Sequence, residues 1–82
     1  MESVLILGAG LMQKPAILSA KSNGYKTFVI DADKNAICVP LADEFCQIDL
    51  KAKDEILEYA KQLKQTQKRY FQILYNMLLG LD

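Results

Sequence analysis

No histidine occurs anywhere in the 82 residues, which excludes a histidine base and any histidine-ligated metal at the outset. Two cysteines, Cys38 and Cys46, are too few for a disulfide scaffold or a four-thiolate zinc site. Both lie near apolar residues and read as buried or half-buried thiols in a reducing cytosol. Neither sign of charge is in excess, since ten basic side chains face ten acidic ones. That removes the electrostatic basis for gripping nucleic acid, and no basic stripe restores it locally. Long hydrophobic runs are missing as well: no stretch approaches the ~20 apolar residues of a membrane span. The first residues carry Glu2 rather than a basic lead, and their apolar run is broken by two glycines, unlike a signal peptide. The expectation is a cytoplasmic chain with no nucleic-acid and no membrane partner.

What is present centres on Val4 to Gln13. A short unbroken apolar run, Val4-Leu-Ile-Leu7, ends in Gly8-Ala9-Gly10 and passes into helix-forming residues. This reads as a buried parallel strand turning sharply into a helix. Gly8 permits the tight turn, and Gly10 leaves room for a ligand's anionic group to approach backbone N–H groups at the helix start. The helix is expected from Leu11 or Gln13 to Asn23, with Pro15 in its first turn, Leu11, Ile17, Leu18 and Ala20 facing the core, and Asn23-Gly24 as its stop.

Lys26 to Asp31 reads as a second buried strand, parallel to the first across a βαβ crossover. Asp31 ends it, 23 residues after Gly8, near the spacing at which a carboxylate meets a ribose hydroxyl in dinucleotide-binding folds. Asp31 to Asn35 is turn chemistry. Phe45 to Ile48 is a short third strand, and a helix starts near Ala52 or Lys53 with Ile56, Leu57, Ala60 and Leu63 on one face.

After Lys64 a doubly wound fold calls for a fourth strand beside the first. The residues read otherwise. Polar side chains at 61, 65, 68, 72 and 76 continue one helical face, with Tyr70, Phe71, Ile73, Leu74, Tyr75, Met77, Leu78 and Leu81 covering the rest. The chain is therefore expected to divide into an α/β unit over 1–64 and an amphipathic helical tail over 65–82, either continuous with the preceding helix or broken near 65–67. The fold class is α/β: a Rossmann-like three-layer half-domain of three parallel strands in the order 3-2-1, plus that helix. Such a sheet leaves the first strand's edge bare, so a homodimer or higher oligomer is expected through the 70–81 tail or that edge.

Read together, Leu5-Ile-Leu-Gly-Ala-Gly-Leu-Met-Gln-Lys-Pro15, Gly24-Tyr-Lys-Thr-Phe-Val-Ile-Asp-Ala-Asp33 and Leu41-Ala-Asp-Glu-Phe45 resemble the N-terminal domain of ATP-grasp ligases. The resemblance is to the carbamoyl-phosphate-synthase-like and purine-biosynthesis carboxylase branches, over residues 3 to 64. It implies a Rossmann-like half-sheet whose glycine turn lines the site of a small-molecule acceptor. Gly8, Ala9, Gly10, Leu11 and Gln13 would face a substrate phosphate or carboxylate, with Asp31 and Asp33 bordering the same crevice. It also implies that ATP and magnesium belong to later domains of the parent enzyme, so that this chain holds no cofactor and no metal, and is inactive alone. The departure after Lys64 fits a fragment or truncated form. Gly8-Ala-Gly10 with Asp31 also permits a dinucleotide-binding module of a saccharopine-dehydrogenase-like oxidoreductase, although Gln13 stands where that motif has its third glycine. A third reading is an oligomerising α/β chain without a ligand.

Overall fold

The computed structural model describes residues 2–67 and the backbone of residues 70–74. Four strands, β1 (Glu2–Leu7), β2 (Lys26–Asp31), β3 (Glu44–Gln47) and β4 (Tyr70–Leu74), form one sheet in the order β3-β2-β1-β4. Every pairing is parallel, with Leu5 opposite Phe28 and Ile73, and Ile30 opposite Cys46. A single 3-10 turn, Leu11–Gln13, leads into helix α1 (Lys14–Ser22), and helix α2 (Lys53–Thr66) follows β3.

Alternation along β1 and β2 splits the core between two faces. Val4, Ile6 and Val29 pack with Ile17 of α1, Ala9 and Cys38. Leu5, Phe28 and Ile30 pack with Ile48 and with Ala60 and Leu63 of α2. The sheet is thus covered by helices on both sides, which is why β2 reads as a continuous apolar run. Leu11, Leu18 and Leu57, expected to face the core, are largely exposed instead. Their spacing sets each at the margin of its helical stripe, where Ile17 and Leu63 already fill the interior.

The expected helical tail is overturned at residues 70–74, which form β4. The chain leaves α2 at Gln67, whose N–H donates to Leu63 O, and Ser3 Oγ donates to the Gln67 carboxamide oxygen at 3.1 Å. That link sets the following residues beside β1, where Glu2 lies opposite Tyr70. A strand there satisfies the N–H and C=O groups that a helix would leave unpaired along β1. The bare edge that argued for self-association is therefore occupied within the chain. Residues 75–82, the rest of the expected tail, lie outside the described residues. Among the described residues no helix is long and apolar enough to cross a membrane.

At the amino ends of the strands, Asp43 fastens β3 to β2. Its carboxylate accepts from Thr27 N–H at 2.7 Å and from Thr27 Oγ1 at 3.0 Å, while Lys21 lies 3.8 Å away. These contacts, led by the backbone N–H of Thr27, hold the Asp43 carboxyl below its ordinary range. Asp43→Ala is expected to lower unfolding stability by about 1–2 kcal/mol, since two donors of Thr27 lose a charged acceptor. Because the folded-state pKa is the lower one, the contribution is present above the ordinary aspartate range. It fades as pH falls through the folded value. Urea unfolding of the wild type and the variant at pH 7 and in acid checks this: the gap between the two curves narrows as the pH falls below the ordinary aspartate range.

Candidate functional site

The carboxyl ends of β1 and β2 bring the glycine turn and Asp31 together. Gly8 adopts φ +109°, a region that other residues rarely enter, and its N–H extends the ladder to Ile30 O at 2.8 Å. A side chain at Gly8 would also press on Gln13, whose Cδ and Nε2 lie 3.1 Å from the position of an added Cβ. Gln13 thus folds its carboxamide over the turn. Its side-chain amide makes no hydrogen bond among the described residues, and because no fully buried side-chain oxygen or nitrogen there lacks a partner, that amide is not fully buried.

Asp31 turns inward. One carboxylate oxygen accepts from Ala9 N–H at 2.8 Å and the other from Asp33 N–H at 2.9 Å. One carboxylate oxygen of Asp33 in turn accepts from Asn35 N–H at 2.8 Å, which closes the loop after β2. So the structure brings Gly8, Ala9, Gly10, Leu11, Gln13 and Asp31 together and leaves the Asp33 carboxylate in its own turn. Two of the N–H groups expected to meet an anion, those of Gly8 and Ala9, are spent inside the chain. Among the described residues the N–H groups of Gly10 and Leu11 have no acceptor.

Cys38 is the residue that motif reading missed. Its N–H donates to Ala9 O at 2.9 Å and its buried thiol to Gly10 O at 3.3 Å, so the loop after β2 clamps the glycine turn from behind. The only sequence signal was an apolar setting between Ile37 and Val39. Both cysteines are free thiols, Cys38 buried and Cys46 half-buried.

Among the described residues no group of three or more carboxylate, thiol or imidazole side chains could hold a metal ion. Lys21 and Lys26 pair with Asp43 and Glu44 at the opposite end of the strands. What the turn offers is a short row of uncharged donors, Gly10 and Leu11 N–H, and the amide of Gln13. Leu11 and Met12, which directly follow the turn, and Ile37 of the loop after β2 are each more than 60% exposed.

No family model matches the chain, and no curated protein does. Among solved structures it is similar to N5-carboxyaminoimidazole synthetase from Staphylococcus aureus complexed with ADP, and to a second structure of that synthetase. Each shares 28% identity with the chain at a TM-score of 0.59 and covers 87% of it, a larger share than residues 3 to 64 make up. The chain spans only 23% of that protein's length. This likeness supports a portion of an ATP-grasp-type ligase.

Proposed function

We propose that the chain supplies the acceptor-substrate wall of an ATP-driven ligase, with ATP and magnesium held by other parts of the enzyme. The single observation that carries this reading is the likeness to the synthetase, at 28% identity over most of the chain. The crevice supports it. An open parallel sheet places ligands outside the carboxyl ends of its strands, where Gly10, Leu11 and Gln13 present unspent polar groups between apolar side chains. Such a wall orients a substrate amine or hydroxyl and excludes water beside it. In this reading the bond-forming chemistry falls to the remainder of the enzyme. By analogy with the synthetase the acceptor is an aminoimidazole.

Nitrogen-15 NMR of the 82-residue chain tests this. Adding an aminoimidazole ribonucleoside is expected to shift the Gly10 and Leu11 amides and the Gln13 side-chain amide saturably, whereas ADP leaves them in place. Shifts with ADP alone, or with neither compound, contradict the reading.

A further inference from the structure

We propose that Asp31 is the glycine turn's own anion, which closes the turn to phosphate and leaves it open only to uncharged polar groups. A glycine turn at a helix start ordinarily attracts phosphate because its N–H groups point outward with no partner. Here the Ala9 N–H, central in the turn, already donates to the Asp31 carboxylate at 2.8 Å. The arrangement is held from three sides. Asp33 N–H donates to the other Asp31 oxygen. Cys38 takes both Ala9 O and Gly10 O, so the turn cannot rotate Ala9 N–H outward without breaking those bonds. Gln13 packs over Gly8 and Gly10, in the space that the glycines would otherwise leave for a ligand's backbone approach.

An incoming phosphate would therefore meet an occupied donor, a carboxylate of its own sign within a few ångströms, and a side chain in its way. Each opposes binding, and the charge acts over the longest range. A neutral hydroxyl, amine or amide meets none of the charge penalty and finds Gly10 N–H, Leu11 N–H and the Gln13 amide unspent. The carboxylate that spacing alone would aim at a ribose thus serves as a specificity element facing the backbone. The inference does not depend on the ligase reading, and the two fail on different observations: pyrophosphate at the turn bears on this one, the nucleoside at Gly10 on the other.

The test titrates inorganic pyrophosphate into the nitrogen-15-labelled chain and follows the Ala9, Gly10 and Leu11 amides in the wild type, Asp31→Asn and Asp33→Asn. The wild type and Asp33→Asn are expected to show no saturable shift at any of them. Asp31→Asn is expected to bind at least about fivefold more tightly, the factor that one like-charge contact supplies even under water-like screening. A saturable shift of Ala9, Gly10 or Leu11 in the wild type overturns the proposal, as does a folded Asp31→Asn that binds no better than Asp33→Asn. Should Asp31→Asn fail to fold, the wild type still decides. Its Ala9, Gly10 and Leu11 amides must ignore pyrophosphate, and a saturable shift at any of them overturns the proposal.

Discussion

Phe28→Ala is expected to remove a quarter or more of the unfolding stability. Phe28 is 1% exposed at the centre of the sheet, packed with Leu5, Ile30, Ile48, Ala60 and Leu63. Truncating a buried phenylalanine costs about 3–5 kcal/mol, the lost transfer energy plus the cavity that remains. A domain of this size has about 4–12 kcal/mol in total, so even the smallest loss is a large share of it. The ring also lies 5.1 Å from Lys26 Nζ, a further contact that alanine removes. Leu57→Ala is the matched control, because Leu57 projects from α2 with 57% of its surface exposed. Its cost should stay within about 0.5 kcal/mol. Urea unfolding followed by circular dichroism separates the two, and equal effects would contradict the two-faced core.

The second large effect concerns β4. Neighbouring residues of a parallel strand direct their N–H groups to opposite sides. Because β4 is the outermost strand, only alternate N–H groups reach β1. Of Gln72→Pro and Ile73→Pro, one therefore removes a ladder bond and is expected to cost about 2–3 kcal/mol. The other sits with its N–H away from β1 and should cost under about 1 kcal/mol. A helix over the same residues gives a different pattern, since proline inside a helix is costly at either position. Thermal unfolding of the two variants thus distinguishes strand from helix: unequal losses support β4, and equal large losses contradict it.

That ambiguity shows where sequence reading stopped. Tyr70-Phe-Gln-Ile-Leu74 is apolar at four positions of five, so neither a period of two nor one of 3.6 stands out. The deciding term is non-local, the open edge of β1 with Ser3 reaching to Gln67. The first two strands carried local signals strong enough to place them: the Gly8-Ala-Gly10 turn, Asn23-Gly24 after α1, and the β-branched run before Asp31. For the site, spacing brought Asp31 to the same end of the sheet as the glycine turn. It could not say whether the carboxylate faces outward or toward Ala9 N–H. That depends on how the loop through Asp33, Ala36 and Cys38 folds back, and its hydrogen bonds to Ala9 O and Gly10 O leave no pattern in the sequence. Gln13 stands where a dinucleotide motif has its third glycine, and its side chain covers the turn.

The ligase reading is most directly tested in a chimera in which residues 2–74 of this chain replace the matched quarter of the Staphylococcus aureus synthetase. ADP release would be measured with and without the aminoimidazole acceptor. The account predicts acceptor-dependent ADP release from a folded chimera, abolished by Gly10→Trp, which fills the crevice. A chimera that folds and binds ADP but shows no acceptor-dependent turnover would contradict it.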